Sequence, residues 1–157
     1  MPKTWAPRGQ TPVLQHQMSW PKLSAIAAVS PNPHAWVHLV PGTVRSPQVI
    51  RFVRHLLRAQ PQPLMLFWDG LPPHRSAQTR DALKPDAPRL RLYRLPAYAP
   101  ELNPVERLWA YLKGYALRGY CPADVRALRQ MVRRAVRRVQ RRPALIRSFF
   151  QHLPLSF

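Results

Sequence analysis

Apolar positions recur along this chain with more than one period, and each period predicts a different element. Leu23 to Val29 is a short apolar run, and Ala35 to Val40 alternates Trp36, His38 and Val40 with Ala35, Val37 and Leu39. Two antiparallel strands joined near Pro31-Asn32-Pro33 are predicted. Further on, Val49, Ile50, Val53, Leu56 and Leu57 repeat at the spacing of one helical face, with Ser46 as the expected N-cap, Pro47 at the first helical position and Pro61 as the stop. Leu64 to Trp68 is continuously apolar, the pattern of a strand covered on both faces. Such a strand delivers Asp69 to the carboxyl edge of a sheet, where open α/β sheets bind their ligands.

The second half of the chain reads as a short helix from about Ser76 to Leu83 and a strand from Leu90 to Leu95, in which Arg91 and Arg94 mark a less buried position. Asn103 can cap a following helix with Pro104 at its first position; Val105, Leu108, Trp109, Leu112, Tyr115 and Ala116 form the apolar stripe and Gly119 the stop. From Pro122 to Arg142 a second amphipathic helix buries Val125, Leu128, Val132, Val136 and Val139 and turns out a row of arginines, with Asp124 near its start suiting the helix dipole. Residues 1–22 show little periodicity beyond Pro12 to Met18, which could form a short strand. The order strand, helix, strand, helix indicates an α/β fold. With no internal repeat and no linker, residues 1–157 are expected to form a single domain with a basic helical tail over about 122–157.

Composition changes this picture mainly through charge. Twenty-five Lys and Arg against 6 Asp and Glu give +19, which points to a polyanionic partner, most economically nucleic acid. A GC-rich genome would inflate Arg and Pro together, so the net charge carries the argument rather than the Arg share. Cys121 stands alone, which excludes a disulfide framework or thiolate metal site and fits a reducing cytosol. No apolar run approaches the roughly 18 residues that span a bilayer, and Met1-Pro2-Lys3-Thr4 leads into no signal segment. The expectation is a protein of the cytoplasm, held at the nucleoid by DNA.

Within so basic a chain, the carboxylates stand out. Phosphodiester cleavage by two hard cations about 3.5 to 4 Å apart needs several oxygen ligands. Asp69 and Glu106 can supply two, since the chain between them suffices for a helix, an adjacent strand and a return helix. Each has a plainer reading: Asp69-Gly70 before Leu71-Pro72-Pro73 is ordinary turn chemistry, and Asn103-Pro104-Val105-Glu106 fits a capping box. Glu106 lies at the flank of its helix's apolar stripe, with Lys113 two turns along the same flank. His74 is either a polar neighbour of the metals and a proton carrier, or a loop histidine bonded to backbone. Asn103 is a second candidate neighbour. Arg75, Lys113, Arg126, Arg133 and Arg137 are the candidate DNA contacts, against the plain alternative of a solvated charged face.

At these residues the chain resembles the catalytic domain of DDE superfamily transposases, in the bacterial insertion-sequence branch related to mariner-type elements. Trp68-Asp69-Gly70-Leu71-Pro72-Pro73-His74-Arg75 is similar to the family's block with the second acid, with Gly70 in place of the usual Asn. Leu95-Pro96-Ala97-Tyr98-Ala99-Pro100-Glu101-Leu102-Asn103-Pro104-Val105-Glu106 resembles its block with the third acid, a highly specific match in which Glu101 is not the catalytic position. Thr4 to Pro12 resembles a segment that follows the first catalytic Asp in relatives. The resemblance covers nearly the whole chain. It implies an RNase H-like mixed sheet flanked by helices, two Mg2+ or Mn2+ ions, and DNA strand cleavage and strand transfer with Asp69 and Glu106 as metal ligands.

One departure stands against activity, because residues 1 to 68 contain no Asp or Glu. By the resemblance, the first catalytic Asp and its central strand precede Met1, so the chain is expected to be an N-terminally truncated catalytic domain, inactive alone, with unpaired strand edges where the sheet should be continuous. Two rival readings follow: one half of a split transposase completed by an upstream polypeptide, or a non-catalytic basic DNA-binding remnant. A homodimer is a further candidate assembly.

Overall fold

In the computed structural model the described residues are 22–118 and 122–151. The short strand expected at Pro12 to Met18, the segment Thr4 to Pro12, Gly119 and Cys121 lie outside them. Strands β1 (Leu23–Ser30) and β2 (His34–Pro41) pair antiparallel across Pro31-Asn32-Pro33, with Ile26 opposite His38. Helix α1 (Ser46–Ala59) leads to β3 (Leu64–Trp68), then to the short helices α2 (Pro72–Arg75) and α3 (Ala77–Leu83), and to β4 (Leu90–Arg94), which pairs parallel with β3. Helices α4 (Pro104–Tyr111), α5 (Val125–Gln140) and α6 (Pro143–Ser148) complete the described chain. The result is two separate two-stranded ladders, β1–β2 and β3–β4.

Alternation along the hairpin explains the layering. Ala27, Val29, Ala35, Val37 and Leu39 face one way and pack with Leu108 of α4, Val132, Ala135, Val136 and Val139 of α5, and Ile146 of α6. Ile26, Ala28 and Trp36 face the other way, onto Phe52 and Leu56 of α1. The same α1 then turns Val49, Val53 and Leu57 to Leu64, Leu66 and Trp68 of β3, Leu83 of α3 and Leu90 of β4. One helix therefore bridges both ladders, because its apolar stripe is wide enough to serve two cores. Arg89 fixes its end by donating from Nη2 to the carbonyls of Leu57, Gln60 and Pro61 at 3.2, 2.7 and 3.1 Å, satisfying acceptors that a helix C-terminus leaves open.

Four sequence expectations shift. β3 is covered on one face only: Leu64, Leu66 and Trp68 point at α1, while Met65 and Phe67 are 64% and 50% exposed, because α1 and α3 lie on the same side of a ladder only two strands wide. The N-cap of α1 is Arg45 rather than Ser46, which is buried in the first turn with Pro47 after it. Gln48 Oε1 accepts from Arg45 N at 3.0 Å, so the Gln side chain secures the start. Tyr115 does not continue the stripe of α4. A π turn over Leu112–Ala116, closed by Leu117 N donating to Leu112 O at 2.9 Å, rotates it outward to 78% exposure, stacked on Tyr111.

The fourth concerns the basic extension, which does not trail. After the helix expected over Pro122 to Arg142, Pro143 opens a separate α6 that folds back so that Ile146 and Phe149 complete the hairpin core, at 0% and 4% exposure. α5 begins at Val125 with Asp124 as its N-cap, whose Oδ1 accepts from Ala127 N at 2.6 Å. Among the described residues no helix is long and apolar enough to cross a membrane.

Candidate active site

The parallel pairing of β3 and β4 puts their carboxyl ends side by side: Leu95 N donates to Trp68 O at 2.8 Å, so the chain leaving β4 starts beside Asp69. Asp69 sits in the turn after β3. Its Oδ1 accepts from Leu71 N at 3.1 Å, the Asx turn the local sequence allows, and lies 2.7 Å from His74 Nδ1. Nδ1 also lies 3.2 Å from the Asp69 carbonyl oxygen. Both contacts require the proton on Nδ1, which leaves Nε2 as the acceptor of the neutral ring. The imidazole is held by stacking on Trp68, with centroids 4.8 Å apart and planes 3° from parallel. His74 is thus bonded to backbone, as the loop-histidine reading has it, and the same nitrogen also meets the Asp69 carboxylate.

A polar cluster that the sequence reading overlooked holds this loop. Ser76 caps α3 by accepting from Thr79 N at 3.1 Å, and its hydroxyl meets Ser46 Oγ of α1 at 2.7 Å. Thr79, fully buried, donates from Oγ1 to Pro73 O at 2.6 Å. Ser-x-x-Thr after Pro-Pro-His-Arg was the available signal, a helix start standing within reach of Asp69. The network ties α2 to both α1 and α3, and so fixes His74 against the carboxylate.

The electrostatic outcome is a carboxyl kept ionised. The His74 hydrogen bond, helped by Leu71 N–H, holds the Asp69 carboxyl below its ordinary range against the desolvation that raises it. Its side chain remains 43% exposed while His74 is 13% exposed. Both of these hydrogen bonds fall on Oδ1.

Glu106 stands in the first turn of α4 and is exposed. The capping-box reading does not hold for it. Asn103 caps the helix with its own side chain, Oδ1 accepting from Val105 N at 3.1 Å, and the Asn103 N–H is already donated to Pro100 O at 3.0 Å in the preceding 3-10 turn. The donor a capping Glu would take is engaged, so its carboxylate is left to other work. Asn103 is the residue that starts the helix carrying Glu106.

The structure brings Asp69, His74 and Arg75 together, and sets the side chain of Arg94 against Gly70, where an added Cβ would lie 3.7 Å from Arg94 Cδ. Among the described residues no three His, Cys, Asp or Glu side chains converge as a metal-binding group. Lys113, Arg126, Arg133 and Arg137 are exposed on the π turn and on α5, away from that loop in the chain and on the helical layer over the hairpin. Asp69 and Glu106 offer hard oxygen donors of the type Mg2+ and Mn2+ take.

Comparison with known proteins places this arrangement. A family model described as DDE superfamily endonuclease matches residues 1–129. The solved structure "Mos1 transposase paired-end complex with left transposon end" is similar with a TM-score of 0.61 at 19% identity, covering 97% of this chain and 51% of that one. The "Mos1 Strand Transfer Complex" gives 0.62 at 17% identity over 94% and 49% of the two chains, and the "catalytic domain of Mos1 mariner transposase" gives 0.51 at 20% identity over 82% and 79%. The likeness shows the fold, a mixed α/β arrangement of the RNase H-like kind, and the chain spans about half the length of the longer Mos1 chains. No curated protein matches.

Proposed function

The chain belongs to the DDE superfamily endonucleases, and on that premise we propose that it contributes the second and third acids of a metal-dependent DNA strand cleavage and strand transfer site acting at insertion-sequence ends. The observation that carries the proposal is a carboxyl held ionised at the end of β3, Asp69, in a chain whose other family acid, Glu106, is exposed and has its cap donor already engaged. A divalent cation, when bound, would polarise the scissile phosphate and lower the pKa of an attacking hydroxyl. The residues present fit it in donor type, with Asp69 and the exposed Glu106 each through its carboxylate.

The chain's own groups do the rest. Leu71 N–H and His74 hold Asp69 ionised, so it presents charge without a proton to lose. Nε2 of His74, the acceptor nitrogen, can take up a proton from the site. Asn103 fixes the first turn from which Glu106 projects. The exposed arginines of α5 and Lys113 neutralise the DNA backbone and position it, without reading bases.

Residues 1–68 hold no acid, so in this reading an acid upstream of Asp69 is supplied by further chain or another polypeptide. This reading is supported by open strand edges, since β1 and β3 each pair on one side only among the described residues. In this reading the partner supplies both a strand and an Asp. The test is nicking of insertion-sequence-end DNA in Mn2+ by residues 1–157, alone and with the polypeptide encoded immediately upstream. Nicking only in the mixture, abolished by Asp69→Asn or Glu106→Gln, is the expected result. Equal nicking by both variants would refute the assignment, and salt-sensitive DNA binding without any nicking in the mixture would favour a non-catalytic DNA-binding protein.

A further inference from the structure

β4 is wider open than its neighbour. Leu90 and Leu92 face the same way as Leu64 and Leu66 by the parallel register, but while Leu90 is buried with Leu83 of α3, Leu92 beyond it is exposed. The space left between α3 and β4 is a trough of about 450 Å3, inside the range of roughly 300 to 1,000 Å3 that ligand sites occupy. Its floor is apolar, made by Leu83, Leu90 and Leu92. Its end is closed by the stacked Trp68 and His74, the ring that touches Asp69.

The rim is wholly cationic. Arg75, Arg80, Lys84 and Arg94 line it, and no carboxylate does. The acid nearest in sequence, Asp81, reaches Arg80 Nε at 3.5 Å with both side chains about 70% exposed or more, an exposed pair too weak to neutralise the rim. A second basic hollow lies across α3, lined by Arg51, Arg54 and Arg58, but Arg54 is committed to Ala82 O at 2.8 Å and to Asp86. That hollow also lacks a wall shared with Asp69.

We propose that the α3–β4 trough holds a single DNA strand beside the Asp69 carboxylate, its phosphates on Arg75, Arg80, Lys84 and Arg94 and its bases against the apolar floor. Charge complementarity selects a polyanion. The apolar floor favours a strand with unpaired bases over a duplex, whose bases are stacked inside, the combination of cationic track and apolar or aromatic platform that single-strand sites use. This inference rests on the DNA-cleavage reading of Asp69 and names which form of the substrate reaches that residue: strands separated at the cut, rather than intact duplex.

The test is fluorescence anisotropy on residues 1–157 with a short labelled oligothymidylate and a labelled duplex, across a salt series. Arg80→Gln/Lys84→Gln, on the exposed face of α3 and the turn after it, should weaken oligothymidylate binding roughly ten-fold and lower its salt slope by about 0.7 per cation removed, with duplex affinity little changed. Arg94→Gln should act the same way. The charge-matched Arg58→Gln/Arg147→Gln should leave the oligothymidylate curve near wild type. Equal losses for trough and control variants, equal losses for single strand and duplex, or no loss in the trough variants would each overturn the proposal. The broader reading fails separately, if Arg133→Gln/Arg137→Gln also leaves duplex binding and its salt slope unchanged.

Discussion

The two ladders of this molecule are built from similar strands and finished differently. The hairpin β1–β2 is covered on both faces, by α1 on one and by α4, α5 and α6 on the other, and its alternating residues disappear into two cores. The ladder β3–β4 is covered by α1 and α3 on one face, and turns Met65, Phe67 and a Phe67–Tyr93 stack outward on the other. The covered ladder supplies stability and carries the arginine-rich α5. The half-covered one carries Asp69, the His74 clamp and the cationic trough. Where a fold leaves its backbone ends and apolar faces accessible, it has room for a ligand or a partner.

The largest effect that would break this comparison is a core truncation. Leu108→Ala or Ile146→Ala in the hairpin core should cost about 2 to 5 kcal/mol in denaturant unfolding, whereas Met65→Ser or Phe67→Ser should stay within about 0.5 kcal/mol; comparable losses would mean that both ladders are equally covered. Next, Ser76→Ala removes a helix cap and should cost about 1 kcal/mol. It should also shift the His74 ring resonances, because Ser76 links α3 to α1 behind the Asp69 loop. Arg133→Gln/Arg137→Gln on α5 should leave stability unchanged and reduce the salt slope of duplex binding by about 0.9 per cation.

The smallest expected effect is in pH. His38 of β2 packs against Phe52 and His55 of α1, and burial, then His55 and Arg51, lower its pKa. A histidine whose folded pKa is depressed leaves stability untouched above its ordinary value of 6.5 and loses stability as pH falls below it, since the unfolded chain takes the proton more readily. His38→Gln should flatten the acid side of the unfolding profile between that value and the lower folded one.

Much of this was legible from the chain. The two hairpin strands, the stripe of α1, the strand that ends in Asp69 and the Asn103-Pro104 helix start follow from local periodicity and cap chemistry, which act over a few residues. What periodicity could not report is neighbours. Leu64 to Trp68 is apolar throughout, yet whether a second layer covers Met65 and Phe67 depends on elements elsewhere. The role of Glu106 turned on where the Asn103 N–H is spent, a backbone contact with Pro100 that side-chain spacing does not encode. Ile146, Phe149 and Phe150 form an apolar patch after Pro143 that the expectation of a basic helical tail passed over, and they pack with the hairpin core. Arg80 and Lys84 gave no sign, because an exposed helical cation looks the same whether it faces a trough or open solvent.

The central claim is that Asp69 and Glu106 serve one cation site. It is tested most directly by titrating Mn2+ into 15N-labelled residues 1–157 mixed with the upstream polypeptide, and following paramagnetic broadening of backbone amides. The account predicts that amides around Asp69 and around Glu106 broaden together at the same Mn2+ concentration, and that Asp69→Asn removes the broadening at both. Broadening at one position alone, or broadening near Glu106 that survives Asp69→Asn, would contradict it.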